Sequence, residues 1–293
     1  MFQDIDPKKF RIEYKNIRPD GSEFALVYQK DCVLMHKESE ILPTVNELIK
    51  NGFSSDDFQY AFAIDEKIGD GIGIVNEDGI EKYFVYIGRE IPEKLPEDLE
   101  FIPAFHARQT PGKSDDVIYA IGMGKQLSDW YQKNRFCGRC GAPMGLSEIE
   151  RAHICPNCGN LVYPRISPVV IVGVTDGNRL LLTKYADRPF KGYALVAGFM
   201  ELGETPEDTV VREVYEETGL KVRNVRYYGS QPWPYPDSLL LGFYADVYDS
   251  TEVHLLDGEL KEGIWFERQD IPEQTSRLAL TANMIEDFRL GIK

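Results

Sequence analysis

The stretch GFMELGETPEDTVVREVYEETGL, residues 198–220, decides how this chain is read. Thr205 is a residue type that caps helices, Pro206 suits the first helical position, and Glu207 and Asp208 suit the positive end of the dipole. Gly219 is a natural residue to end a helix in the left-handed conformation. The spacing therefore predicts a helix over 205–218. Val210, Val211 and Val214 recur at helical spacing and are expected to bury against a sheet. Glu213, Glu216 and Glu217 stand at i, i+3 and i+4, which assigns them to the other face. Each like-charge pair at that spacing costs about 0.2–0.5 kcal/mol, so an offsetting partner is expected. Hard divalent cations, which prefer carboxylate oxygens, fit that role. A solvated acidic face would explain the three glutamates alone, but not the loop with Glu204, the Arg212 or the terminal glycine around them.

Around this helix the pattern is mixed. VVIVGV (169–174) and RLLLTKY (179–185) flank Asp176, Gly177 and Asn178 as a hairpin, and YALVAG (193–198) reads as a further strand. Residues 222–229 and 239–248 read as strands, and a last helix is expected near 278–290. Upstream, short strand-like runs such as EFALVYQ (23–29) and KYFVYIG (82–88) alternate with turn signals such as RPDG (18–21) and NEDG (76–79). A short helix is expected in TVNELIKNG (44–52). GDGIGIV (69–75) lacks the spacing of a phosphate-binding loop and reads as a turn. A longer helix over 117–133 carries Ile118, Ile121, Leu127 and Trp130 on its apolar side.

That helix leads into Cys137-Gly-Arg-Cys140 and Cys155-Pro-Asn-Cys158, two C-x2-C pairs separated by fourteen residues. Each pair can present two thiolates from one tight turn, and together they supply the four sulfurs of a tetrahedral zinc site. A redox dithiol would explain one pair, not two. Four sulfurs leave no open coordination position, so the expected Zn2+ is structural. Gly138, Gly141 and Gly159 supply permissive backbone to the knuckles. His153 is expected at the surface, and Arg135, Arg139 and Arg151 are nearby cations that a nucleic-acid-binding ribbon could use. The fifth cysteine, Cys32, reads as a small buried hydrophobe.

Hydrophobic content of 43% with 28% charged residues is that of a soluble globular protein. No run approaches the ~20 apolar residues of a membrane helix. The opening MFQDIDPKKF lacks the apolar run of a secretory signal, so a cytoplasmic protein is expected, with no membrane partner. A net charge of -15 argues against a nonspecific grip on a phosphate backbone. It is compatible with a phosphorylated substrate when divalent metals lie between carboxylates and phosphates.

The pattern G-x5-E-x7-R-E-U-x-E-E-x-G-U, with U apolar, matches the Nudix box at every fixed position, Val214 and Leu220 filling the apolar slots. Residues 230–238, SQPWPYPDS, closely resemble the S-Q-P-W-P-F-P-x-S segment of the NADH pyrophosphatase family of Nudix hydrolases, with Tyr235 for the usual Phe. The same family places a four-cysteine ribbon directly before the Nudix domain, after a helix ending much like WYQKNRFCGRCG (130–141). Residues 116–293 resemble this family throughout; 1–115 resemble it only in length and position.

The resemblance implies an α/β (α+β) fold: a Nudix α/β/α sandwich with a mixed sheet, preceded by the zinc ribbon and a β-rich N-terminal domain. The expected divisions are 1–115 for that domain, 116–133 for the connecting helix, 134–163 for the ribbon and 164–293 for the hydrolase. It implies hydrolysis of NAD(H) to NMN(H) and AMP, and removal of NAD caps from RNA 5′ ends, by a homodimer. Ala197 through its carbonyl, Glu213, Glu216, Glu217 and Glu259 would hold Mg2+ or Mn2+, with Glu262 competing for the last place. Glu217 is the expected water-activating base, Glu216 the runner-up, and Arg212 is expected to pair with a box glutamate such as Glu204. Phe199 and Tyr163 match positions that stack on substrate, and Glu150 a ribbon position that contacts it. Gln231, Pro232, Trp233, Pro234, Tyr235, Pro236, Asp237 and Ser238 would line the pocket. Where the family has S-I-A in the last helix this chain has Ala279-Leu280-Thr281, so Thr281 takes that contact's place. A broader dinucleotide or ADP-ribose pyrophosphatase is the alternative enzyme. A non-catalytic NAD or RNA sensor would be expected to have lost box glutamates, and none is missing.

Overall fold

Strand Ser167–Asp176 is apolar on both faces, the composition of a strand buried from two sides. The computed structural model, which describes residues 1–66, 80–105, 114–187, 192–256 and 258–292, shows what covers each face. Val170, Val172 and Val174 point to a cluster with Val210 and Val214 of the box helix. The alternate residues Val169 and Ile171 point to a cluster with Leu280, Met284, Ile285 and Phe288 of the last helix. One helix on each face of one sheet makes the expected α/β/α sandwich.

The sheet is mixed. Asp237–Tyr248 runs parallel to Ser167–Asp176, while Arg179–Tyr185 and Val196–Phe199 pair with it antiparallel. Lys221–Pro234 forms one edge beyond Asp237–Tyr248, and Leu260–Glu267 forms the other beyond Arg179–Tyr185. The strand expected over 222–229 is longer: it continues through Pro234, so SQPWP is strand and the turn falls at 235–236.

The chain divides into two units, of which this sandwich is one: Met1–Gln3, Ile166–Trp233 and Asp237–Lys293. The other is Asp4–Arg165 with Pro234–Pro236. It is β-rich at its start, with one sheet in the order Lys8–Arg11, Phe58–Glu66, Ile80–Tyr86, Phe24–Leu26 and another of Tyr28–Gln29, Cys32–His36 and Leu99–Pro103. The short helix is Val45–Lys50, held by a Thr44–Glu47 capping box. The longer helix, Asp115–Lys133, buries Ile118, Ile121, Leu127 and Trp130 as its periodicity predicts. Cys32 is half-buried. The GDGIGIV and NEDG turns lie outside the described residues. Among the described residues no helix is long and apolar enough to cross a membrane.

Candidate functional site

The box helix spans Pro206–Thr218. Thr205 caps it, accepting from the Asp208 backbone N–H while the Asp208 carboxylate accepts from Thr205, and Gly219 ends it at φ 69°. Val210 and Val214 are fully buried, but Val211 is 45% exposed. The expectation that all three valines bury fails because successive helical residues turn by 100°, and Thr209 instead occupies the buried side with no exposure. Each fully buried valine contributes about 1.5–3 kcal/mol, which exceeds the few tenths lost per carboxylate pair. The acidic helix is held by its sheet-facing side.

The three box glutamates do not share one environment. Glu217 is 2% exposed. The side chain of Glu213 is 13% exposed and that of Glu216 53%. Arg212 ties the cluster together: its Nη1 donates to Glu213 at 2.7 Å and to Glu216 at 2.9 Å. Its Nε and Nη2 reach both oxygens of Glu204 at 2.5 and 2.9 Å, and Nη2 also reaches the Phe199 carbonyl at 2.9 Å. The pairing of Arg212 with Glu204 is the one expected. Arg212, helped by the Glu201 backbone N–H and the Thr209 hydroxyl, holds the Glu204 carboxyl down at about 2. Glu213 shifts the other way: burial raises it, Arg212 opposes, and the charges of Glu216 and Glu259 add to the rise.

Glu259 is therefore electrostatically close to Glu213, whereas Glu262, its competitor, is held by Lys184 at 2.9 Å on the neighbouring strand. Strand Val196–Phe199 brings Ala197 and Gly198 beside the helix. A Cβ on Gly198 would lie 1.8 Å from the Glu213 carboxyl carbon, so the backbone approaches that carboxylate closely. Carboxylate oxygens are the donor type a hard divalent cation takes, although here Glu213 and Glu216 are bonded to Arg212 and the box glutamates do not bring three ligand atoms within 4.8 Å of one another. Gly198→Ala should displace the Glu213 carboxylate by an ångström or more and lower turnover about 100-fold. Steady-state kinetics on the folded variant checks this; near-normal turnover would show that Glu213 has no fixed position to lose.

The cysteines form a second centre. Among the described residues, the four cysteines and the trio His36, Glu47 and Asp98 are the groups whose ligand atoms all lie within 4.8 Å of one another. Cys137 Sγ lies 3.6 Å from Cys158 Sγ, and Cys140 Sγ 3.5 Å from Cys155 Sγ. Four sulfurs around one zinc at ~2.3 Å are separated by about 3.8 Å, so the residues fit the ion. The two knuckles repeat one hydrogen-bond pattern. Cys137 N–H donates to Ala142 O at 2.8 Å and Cys155 N–H to Asn160 O at 2.9 Å; Gly141 and Gly159 N–H turn back to the cysteine carbonyls. Gly141 and Gly159 take φ of 74° and 71°, while Gly138 does not enter the left-handed region. His153 is not at the surface. It is 4% exposed, edge-on to Trp130 and Tyr131, and burial lowers its pKa.

The remaining predicted residues are distributed over both units. Phe199 is 51% exposed in the sandwich, and Thr281 sits in the last helix, half-buried. Tyr163, 53% exposed, donates to Glu150 at 3.2 Å in the other unit. Of the 231–238 segment, Gln231, Pro232, Trp233, Asp237 and Ser238 belong to the sandwich, whereas Pro234, Tyr235 and Pro236 belong to the other unit, where Tyr235 meets Phe105 edge-on. Gln231 is fully buried and its amide is committed to backbone: Nε2 donates to Leu278 O at 2.8 Å, and Oε1 accepts from Leu280 N–H at 2.7 Å. It caps the start of the last helix. Phe2 and Gln3 of the sandwich unit were missed by sequence reasoning, and no local signal marks them.

Sheet, box helix and clustered carboxylates together define a Nudix hydrolase, and residues 164–288 match the NUDIX domain family. Residues 132–163 match the NADH pyrophosphatase zinc ribbon domain. The chain is 39% identical over 180 residues to the NAD-capped RNA hydrolase NudC of Salmonella typhi, a match covering 61% of this chain and 70% of that protein. The same figures describe its match to NudC of Salmonella heidelberg strain SL476. A solved NUDIX hydrolase from Nitrosomonas europaea is 26% identical, with a TM-score of 0.47, covering 53% of this chain and 90% of that one. The chain belongs to the NADH pyrophosphatase branch of the Nudix hydrolases, the family of the NudC NAD-capped RNA hydrolases.

Proposed function

We infer that this enzyme hydrolyses the pyrophosphate of NAD(H) to NMN(H) and AMP and removes NAD from the 5′ ends of RNA. The observation that carries this reading is a complete Nudix box, with its carboxylates organised by Arg212, in a chain that also carries the NADH pyrophosphatase ribbon. Ala197 through its carbonyl, Glu213, Glu216, Glu217 and Glu259 would hold the catalytic Mg2+ or Mn2+. When bound, these cations neutralise the diphosphate and acidify the attacking water. Glu217, enclosed and on the face of Glu213, takes the proton from that water. Arg212 keeps Glu213 and Glu216 oriented, so their carboxylates need no rearrangement when substrate arrives. Phe199 in the sandwich has an exposed ring suited to stacking on a flat base; in the other unit Tyr163 is also exposed, and its hydroxyl is held by Glu150. Within the sandwich, Pro232, Trp233, Asp237, Ser238 and Thr281 are the residues we assign to substrate binding; Pro234, Tyr235 and Pro236 carry the same assignment by family resemblance alone. Gln231 acts there by fixing the backbone. Zn2+ on the four cysteines is structural. The homodimer and the four-part division of the chain rest on the family resemblance, and the cytoplasmic location on the sequence expectation.

The test is product analysis of NADH hydrolysis in 18O-labelled water with added Mg2+ or Mn2+, beside ADP-ribose, a diadenosine polyphosphate and an NAD-capped RNA. NMNH and AMP should form, with NADH preferred over ADP-ribose. Equal efficiency on ADP-ribose would replace this reading with a broader dinucleotide pyrophosphatase.

A further inference from the structure

Three residues far from the box in sequence are built into the sandwich beside the 231–238 segment. Phe2 is 1% exposed, and its ring meets Trp233 edge to face, centroids 6.1 Å apart. The Gln3 side-chain amide donates to the Ser230 carbonyl at 3.0 Å and accepts from Gln231 Nε2 at 3.3 Å. Met1 packs against the core cluster under the last helix. Gln231 in turn holds Leu278 and Leu280, the residues that lead into Thr281. One hydrogen-bonded series thus runs from Gln3 through Ser230 and Gln231 to the start of the last helix.

Burial and bonding of this kind need a physical reason. Residues 230–233 close an edge strand, where, among the described residues, one side of the ladder has no neighbouring strand to hold it. Prolines 232 and 234 lack the N–H that a ladder would use. Gln3 supplies the Ser230 carbonyl with a donor from outside the sheet. Trp233 packs against the core cluster under the last helix, and Phe2 adds an edge-on aromatic contact that restricts its ring.

We propose that Phe2 and Gln3 are positioning residues for the dinucleotide: they do not touch it, but set the place of Trp233 and of the backbone at 230–231. This rests on the reading that residues 231–238 line the substrate pocket. A positioning role predicts a change in KM, whereas a purely structural role lowers the active fraction and so kcat at constant KM. In the zinc-loaded chain, Phe2→Ala should raise KM for NADH about tenfold with kcat within about twofold. Gln3→Ala should raise KM severalfold in the same sense, and Phe2→Leu, which keeps most of the apolar bulk, should recover most of the affinity. Should Phe2→Ala fail to fold, Gln3→Ala carries the test, because it leaves the apolar packing in place. Trp233→Ala, measured alongside, should also raise KM. If it does while Phe2→Ala and Gln3→Ala leave KM unchanged, or lower kcat only, the positioning role is overturned. If Trp233→Ala itself leaves KM unchanged, the segment is outside the pocket and the inference falls with that reading.

Discussion

Glu217→Gln should lower turnover of NADH by about 100- to 10,000-fold, the range that a positioned general base contributes. Gln matches Glu in shape, so the fully enclosed site keeps its packing and the melting temperature should stay within a few degrees. What disappears is the capacity to accept a proton and a charge for the cation. Glu216 offers an internal comparison. Its side chain is half exposed and shares Arg212 Nη1 with Glu213, so it is placed to hold a cation and orient neighbours more than to work as an enclosed base. Glu216→Gln should therefore cost less. Near-normal turnover in Glu217→Gln would remove it from the role, and a larger loss in Glu216→Gln would transfer the role there. Both measurements need saturating divalent metal, since weaker metal binding alone also slows the reaction.

The second large effect is on stability. Cys155→Ser should abolish binding of one zinc equivalent and destabilise the chain by about 4 kcal/mol or more, the range seen when a structural metal is lost. For a unit of this size that corresponds to a fall in melting temperature of roughly 10 °C. The reason lies in the ribbon's construction. Its strands Gly145–Leu146, His153–Ile154 and Leu161–Val162 are two residues each, too short to supply a core of their own. Metal binding then supplies the folding free energy. Cys155 is 1% exposed, and its N–H and carbonyl organise the second knuckle, so serine cannot be hidden there without cost. Elemental analysis and thermal denaturation of the purified variant decide the matter. Full zinc content with an unchanged melting temperature would contradict a structural zinc. The variant is a better probe than a chelator, which would also strip the catalytic cations.

Much of this protein is legible from residues within a few positions of one another. The helix at Pro206–Thr218 follows from a cap, a first-turn proline and a terminal glycine, all acting over one turn of backbone. The zinc site follows from two fixed spacings, because a thiolate pair on a knuckle needs no distant partner to be recognised. The continuous apolar run along Ser167–Asp176 already marks a strand covered on both faces. Tertiary packing decided what those local rules leave open. Val211 looks out while Thr209 looks in, and only one of three box glutamates is enclosed, since the sheet's position around the helix is a property of the whole core. His153 is buried by Trp130 and Tyr131, which arrive from another element. Gln231 caps a helix that begins 49 residues later, and Phe2 meets a tryptophan more than two hundred residues away. Propensity, capping and ligand spacing are short-range and leave their mark in the sequence. Which side chain ends beside which other depends on contacts between segments distant along the chain, and those exist only once the core has formed.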